Sequence, residues 1–149
     1  MANAVHYPSL ASFGDVEMVA ACEMNDERLN ETADRYNIQG RYTDYRQMIE
    51  ETKPDAVYAI GGPDIMYNLW VWCLERGLNL FVEKLLGITR HQARNLEYLA
   101  EQKGCVTQVG FQRRTNPLLT ARDHLMDDSI HAIDTLRRRC GGEVADIQC

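Results

Sequence analysis

The amino-acid sequence predicts an α/β protein in which helices cover both faces of a doubly wound parallel sheet. Apolar runs of about five residues alternate with amphipathic stretches of helical period along the chain. The run at residues 56–60 is continuously apolar, which is typical of a parallel strand covered on both faces. Gly77 and Gly104 follow two of the amphipathic stretches, and glycine commonly ends a helix at such positions.

The first part of the chain alternates between predicted helices and strands. Asn25 has the side chain of a helix N-cap. Leu29, Ala33 and Tyr36 recur at i, i+4 and i+7 after it, which predicts the buried face of that helix. The elements predicted before the apolar run at 56–60 are a helix at 2–12, a strand at 16–21, the helix that begins at Asn25, an extended segment at 40–43 and a helix at 44–51.

The same alternation continues after residue 60. A turn at 61–64 leads into a helix that contains Trp70 and ends at Gly77, and a strand follows at 79–82. Thr89 and Gln92 have the spacing of a capping box, in which side chain and backbone satisfy each other at the start of a helix. We expect that helix to end at Gly104 and a further strand to occupy 106–110.

The pattern changes after residue 110. Residues 111–117 are polar and basic, and a helical stretch follows from 118 to about 126. Asp127, His131 and Asp134 then fall at i, i+4 and i+7, which places them on one face of a helix. This face is either a functional site or a solvated helix surface with ordinary charge pairing.

Composition excludes several classes of function. A net charge of −6 and a pI near 5.2 argue against nucleic acid or an anionic membrane as the main partner. No apolar run approaches the roughly 18 residues of a membrane span, and the N-terminus lacks the features of a signal peptide. The five cysteines are dispersed and odd in number, which fits buried thiols in a reducing cytoplasm better than disulfides or zinc ligands.

Residues 81–89 are the stretch around which the chain is organised. Glu83 and Lys84 follow the predicted strand 79–82, and open α/β sheets bind their ligands in the crevice at the carboxyl ends of their strands. A lysine there serves as an electrophile, a phosphate contact or a Schiff-base amine, or is simply a solvated side chain after a strand.

Five features in this order resemble the Gfo/Idh/MocA family of nicotinamide-dependent oxidoreductases. They are an acidic residue ending the second family strand (Glu23), a Gly62-Pro63 turn after the fourth, the Glu83-Lys84 pair in place of a Glu-Lys-Pro motif, the stretch Gly110-Phe111-Gln112-Arg113-Arg114, and the helix with Asp127, His131 and Asp134. The resemblance covers nearly the whole chain. It implies a Rossmann-like domain at residues 1–116 and a remnant of an α+β substrate domain at 117–149.

The resemblance implies hydride transfer between a nicotinamide cofactor and a secondary alcohol of a sugar, cyclitol or similar polyol. The catalytic residues would be Lys84, which hydrogen-bonds the reacting oxygen, His131, which takes the hydroxyl proton, and Asp127, which orients the pair. The implied cofactor-binding residues are Glu23, Asn25, Gly62, Pro63, Glu83, Lys84 and Gln112, and the implied substrate-binding residues are Lys84, Arg113, Asp127 and His131.

Glu23 bears on the choice of cofactor. A carboxylate at this position accepts hydrogen bonds from the adenosine ribose and repels a 2′-phosphate, which favours NAD over NADP. Gly62 and Pro63 would let the dinucleotide approach the backbone. The simpler interpretations are a solvent-facing strand end for Glu23 and a helix-opening turn for Gly62 and Pro63.

The departures from the family pattern are also informative. The sequence contains no G-x-G-x-x-G motif, Leu85 replaces the usual proline, and Tyr67 stands where the family often has histidine. Together with the short spacing between Pro117 and Asp127, these features predict a chain shortened at both ends and internally, whose sheet lacks the first family strand and its glycine-rich loop. The segments 16–21 and 56–60 must then pair directly or leave a gap, and we expect low stability or association with a second copy or a full-length relative.

Two alternatives belong to other functional classes. The chain could be a catalytically inactive remnant that acts as a nucleotide-binding or interaction module. It could also be a small metal-binding protein that uses Asp127, His131 and Asp134.

Overall fold

The computed structural model describes residues 2–111. The chain forms two compact units, Met1–Ile60 and Gly61–Cys149, of which residues 2–60 and 61–111 are described. Both units contain helices and parallel strands, which agrees with the predicted α/β class. The predicted boundary between residues 116 and 117 lies outside the described part and stays a prediction.

The first unit is built on a short parallel pair of strands. Its elements are a 3₁₀ turn at Ala2–Ala4, α1 (His6–Ala11), β1 (Ala20–Cys22), α2 (Asp26–Tyr36), β2 (Gly40–Tyr42), α3 (Tyr45–Thr52) and β3 (Ala56–Ala59). β1 and β2 pair in parallel, with Ala20 opposite Gly40 and Cys22 opposite Tyr42. β3 is not part of the β1–β2 sheet, so β1 and β3 do not pair directly.

The core of this unit forms where α2 covers β1. Ala21, Leu29, Ala33 and Ile38 make one buried cluster. Asn25 caps α2 as predicted, because its side chain accepts a hydrogen bond from the backbone N–H of Arg28 at 2.9 Å. The tyrosine rings at positions 7 and 36 stack at the cluster's edge, with centroids 5.2 Å apart.

The predicted strand at 16–21 is wrong in extent, because only Ala20–Cys22 is paired. The partner strand β2 begins at Gly40, soon after the end of α2, where the N–H of Ile38 donates to Ala33 O (2.9 Å). Val19 contributes only its carbonyl, which accepts the N–H of Gly40 at 3.3 Å, and the side chains of Val16 and Val19 are about two-fifths exposed, at 42% and 40%.

The prediction that the strand at 56–60 is covered on both faces is also wrong. Val57 and Ala59 are buried, whereas Ala56 and Tyr58 are exposed. Successive side chains of a strand point to opposite faces, so one face of β3 lies in the core and the other does not. A continuously apolar run does not by itself distinguish these two cases.

The second unit places two helices beside a pair of parallel strands. Its described elements are α4 (Pro63–Glu75), β4 (Asn79–Val82), α5 (Arg90–Lys103) and β5 (Thr107–Val109). β4 and β5 pair in parallel, with Leu80 opposite Thr107 and Val82 opposite Val109. The side chains buried most completely belong to α4 and include Trp70, Cys73 and Leu74. Leu96 and Ala100 of α5 are also buried, as the predicted stripe requires.

The predicted helix ends of this unit are confirmed. Gly77 and Gly104 have φ values of +75° and +65° and lie at the ends of α4 and α5. At the start of α5, the N–H of Gln92 donates to Thr89 Oγ1 at 3.2 Å, and the N–H of Thr89 donates to Gln92 Oε1 at 3.3 Å. These two bonds form the predicted capping box.

Among residues 2–111, no helix combines the length and the apolar character that crossing a membrane requires.

The capping box makes a first prediction about stability. Thr89→Ala removes the acceptor for the Gln92 N–H and should lower the free energy of unfolding by about 1 kcal/mol. Thr89→Ser keeps the hydroxyl and should remain close to the parent protein. Urea denaturation followed by circular dichroism measures both variants, and equal losses in the two would contradict a role for the hydroxyl.

Candidate functional site

The pairing of β4 with β5 brings two chain segments together at the carboxyl ends of these strands. Val82 lies opposite Val109, so Glu83 and Gly110 are the first residues beyond the ladder on each side. The N–H of Gly110 donates to Val82 O at 2.8 Å and extends the contact by one residue. Glu83, Lys84 and Gly110 therefore meet at the edge where parallel sheets bind ligands.

Glu83 is a buried carboxylate, with 5% of its surface exposed. Its Oε2 accepts a hydrogen bond from the backbone N–H of Lys84 at 3.2 Å. Gly110 lies beside this carboxylate. A Cβ added to Gly110 would come within 3.1 Å of the Glu83 carboxyl carbon and of both its oxygens. The carboxylate thus accepts the backbone N–H of Lys84 and lies against Gly110. Lys84, the next residue in the chain, is half-buried.

The loop after Lys84 is attached to the start of α5. The Lys84–Leu85 peptide bond is cis, at the position where leucine replaces the family's proline. Gly87 has a φ of +83°, and a Cβ on it would lie 2.8 Å from Gln92 Cβ, so both its backbone angle and the space around it require glycine. Gln92 Oε1 also accepts the N–H of Ile88 at 2.7 Å. The side chain that caps α5 therefore fixes the loop as well.

Gly62 and Pro63 begin α4, and the interpretation as a helix-opening turn is confirmed. Gly62 is the N-cap residue, Pro63 occupies the first turn, and the N–H of Met66 donates to Gly62 O at 2.9 Å. Contact of this turn with a dinucleotide stays a prediction. Tyr67, which replaces the family's frequent histidine, accepts a hydrogen bond from Asn95 Nδ2 at 2.9 Å and so links α4 to α5.

Glu23 and Asn25 lie together in the first unit, just beyond the carboxyl end of β1. The N–H of Asn25 donates to Glu23 Oε1 at 3.1 Å, and the N–H of Glu23 donates to Tyr42 O at 3.1 Å. Burial, followed by the negative charges of Asp44 and Glu23, raises the pKa of the Cys22 thiol. The carboxylates of Glu23 and Asp44 therefore both lie near the end of β1.

The remaining predicted site residues are Gln112, Arg113, Asp127 and His131, and they lie outside the described residues together with Asp134. Their assignments stay predictions. Gly110 is the residue whose contact the sequence did not reveal. The available signal was a glycine directly after a strand, at a position where a neighbouring strand end carries a carboxylate.

A cavity of about 740 Å³ lies in the second unit and reaches Val82 and Val109, the last residues of β4 and β5. Its lining is largely apolar, with Trp70, Leu74, Leu80 and Val109 among the residues, and it includes neither Glu83 nor Lys84. It therefore lacks the carboxylate–amine pair of the strand ends, and we place the candidate site at the strand ends instead. Within residues 2–111, no group of three or more His, Cys, Asp and Glu side chains is arranged to hold a metal ion.

Comparison with known proteins identifies the family and the fold of the chain. The family described as "Oxidoreductase family, NAD-binding Rossmann fold" (Gfo/Idh/MocA) matches residues 1–111. The chain belongs to the Gfo/Idh/MocA family. The resemblance inferred from the ordered motifs is thereby confirmed, as is the Rossmann-type α/β class.

Three relatives illustrate the similarity. A Gfo/Idh/MocA oxidoreductase from Vibrio cholerae shares 33% identity with a TM-score of 0.73, over 78% of this chain and 37% of that one. The D-glucoside 3-dehydrogenase of Escherichia coli (strain K12) is 27% identical over 114 residues, which is 76% of this chain and 32% of the relative. The structure of scyllo-inositol dehydrogenase from Lactobacillus casei, with bound NAD(H) and scyllo-inositol, matches with a TM-score of 0.70 at 19% identity. The match covers 76% of this chain and 34% of that one, and at this identity it supports the fold alone.

The chain spans about one third of the length of the first curated relatives it matches, with 32% of the E. coli enzyme and 33% of the myo-inositol 2-dehydrogenase of Thermotoga maritima.

The buried thiol of Cys73 should react slowly with alkylating reagents in the folded protein. Burial raises the pKa of the Cys73 thiol to about 11, against a smaller opposing effect of Arg76. At pH 8 only roughly a thousandth of this group is thiolate. We expect Cys73 to resist iodoacetamide at pH 8 in the folded protein and to react in guanidinium chloride, as measured by peptide mass spectrometry. Equal labelling in the two states would contradict its burial.

Proposed function

We propose that this chain acts in NAD-dependent hydride transfer to or from a secondary alcohol of a sugar, cyclitol or similar polyol. The observation that carries the proposal is the Glu83–Lys84 pair at the carboxyl end of β4, held against Gly110 at the end of β5. This arrangement lies within the part of the chain that matches an NAD-binding oxidoreductase family.

Lys84 would be the residue in contact with the reacting oxygen. Its backbone is held by a buried carboxylate, so its amine begins from a fixed point at the sheet edge. An ammonium group close to a hydroxyl stabilises negative charge as the proton leaves. His131 would take that proton, and Asp127 would orient the pair, as the family resemblance implies.

The residues of the first unit fit the adenosine half of NAD. Glu23 lies at the end of a parallel strand, and its carboxylate already accepts one N–H, from Asn25. A carboxylate accepts several hydrogen bonds, so further acceptor capacity is available for ribose hydroxyls. The acidic surroundings of Cys22 disfavour the extra phosphate of NADP. When bound, the nicotinamide ring would supply the hydride acceptor or donor.

The named relatives support the substrate class. One acts on D-glucosides and another on myo-inositol, and both kinds of molecule are rings that carry several secondary hydroxyl groups. We extend that class, and no single compound, to this chain.

Two other hypotheses remain. The first is an inactive module that binds nucleotide or a partner chain. Pairing with a second copy or with a longer relative belongs to the same hypothesis. The metal-binding hypothesis depends on Asp127, His131 and Asp134, and metal retained after dialysis would favour it.

The first experiment is a titration of the 149-residue protein with NADH and, separately, NADPH, followed by nicotinamide fluorescence. Circular dichroism on the same samples reports folding. We expect saturable binding with a lower Kd for NADH. A folded protein that binds neither cofactor would overturn the proposal and leave the interaction module.

Glu23→Gln tests the basis of cofactor choice. Removing the negative charge while keeping the shape should narrow the preference for NADH over NADPH by about tenfold, since one charge pair near a surface contributes about 1 kcal/mol or more. Glu27→Gln is the matched control, because it removes one exposed charge from the first turn of α2. An equal change in both variants would indicate net charge instead of a local contact.

Turnover tests the catalytic assignments. With polyol and NAD, Lys84→Ala and His131→Ala should each lower kcat by about a hundredfold or more, because each removes a charge-stabilising or proton-accepting group. The controls are Lys53→Ala and His91→Ala, which change an exposed lysine and an exposed histidine. Unchanged rates in the first pair, with normal circular dichroism, would remove both residues from the assignment.

A further inference from the structure

The contact between Glu83 and Gly110 has an unusual geometry. A Cβ built on Gly110 would lie 3.1 Å from the carboxyl carbon, from Oε1 and from Oε2 of Glu83. Equal distances to all three atoms place that point over the flat face of the carboxylate. Ordinary contacts of a Cβ begin near 3.4 Å, so a side chain at 110 would push the carboxylate aside by a few tenths of an ångström.

Neither partner has an easy way to yield. Gly110 is fixed from both directions, because its N–H donates to Val82 O (2.8 Å) and the following N–H, of Phe111, donates to Val109 O (2.7 Å). Glu83 is 5% exposed, so its carboxylate cannot simply rotate into solvent. A group added at 110 therefore acts on the carboxylate in its buried place.

The position of the carboxylate matters for the residue that follows it. Oε2 of Glu83 accepts the backbone N–H of Lys84 at 3.2 Å. A displaced carboxylate lengthens or loses this bond, and the backbone from which the Lys84 side chain extends then lacks that restraint. Gly110 is thus connected to Lys84 by one packing contact and one hydrogen bond.

We infer that Gly110 is a positioning residue for Lys84. Because Gly110 has no side chain, the Glu83 carboxylate can lie beside it and accept the backbone N–H of Lys84. The inference rests on the proposed function in so far as Lys84 serves cofactor and substrate. Gly110 itself needs no contact with either of them.

The test compares four variants with the parent: Gly110→Ala, Glu83→Asp, the double variant, and Gly14→Ala. Gly14 is the matched control, since a Cβ there would meet nothing within 4 Å. Glu83→Asp shortens the acid and makes room for the methyl of an alanine at 110. Circular dichroism checks folding in every sample.

Two readouts are used. The first is acetylation of Lys84 by limiting acetic anhydride, measured by peptide mass spectrometry relative to Lys103. The chain has three lysines, Lys53, Lys84 and Lys103, so these peptides are easily separated. The second is the Kd for NADH. General destabilisation would not change the Lys84 to Lys103 ratio selectively in a folded sample.

We expect Gly110→Ala to increase the Lys84 to Lys103 labelling ratio and to raise the Kd for NADH about fivefold or more, which corresponds to a loss of about 1 kcal/mol in binding free energy. The double variant should recover part of both effects, and Gly14→Ala should show neither. If Gly110→Ala fails to fold, recovery of the fold in the double variant supports the same contact.

Parent-like labelling in folded Gly110→Ala, or effects of the two substitutions that simply add, would overturn the inference. So would a double variant that remains unfolded. A parent protein that does not bind NADH would count against the proposed function alone, because the labelling ratio and its recovery still decide the role of Gly110.

Discussion

The second unit depends on the parallel register of β4 and β5. With Val82 opposite Val109, the two strands end level with each other, and the residues beyond them must share one small volume. Glu83 occupies that volume with a carboxylate, and Gly110 leaves it free by having no side chain. A shift of one residue would direct the side chains of one strand to the other face and separate this pair. The chemistry proposed for Lys84 thus depends on a pairing formed by residues that carry no charge.

The first unit meets a similar constraint at smaller scale. β1 and β2 pair over three residues each, and β2 begins soon after the end of α2. The acidic Glu23 follows at once, within the short space between the strand and the cap of α2. Strand, carboxylate and helix cap therefore follow one another within a few residues, and the backbone N–H of the cap residue Asn25 donates to the carboxylate.

Local signals were sufficient to predict the order of the elements. Asn25, Thr89, Gly77 and Gly104 each act within one turn of a helix, so the sequence around them determines what they do. The extent of β1 and the one-sided burial of β3 were missed because they depend on partners distant in sequence. In the site, the placement of Glu83 and Lys84 at a strand end followed from the pattern. The contact with Gly110 did not, because it requires the register of two strands.

The side chain of Gln92 joins the loop at 85–89 to the helix that follows it. Its Oε1 accepts the N–H groups of both Ile88 and Thr89, while its own N–H is held by the Thr89 hydroxyl. Opening the loop would break hydrogen bonds of the first turn of α5, so the loop and the start of this helix are coupled. Insertions or deletions in this loop would therefore cost helix stability too. Substitution of the exposed side chains at Leu85 and Ile88 would leave these backbone hydrogen bonds in place, whereas a change in loop length would not.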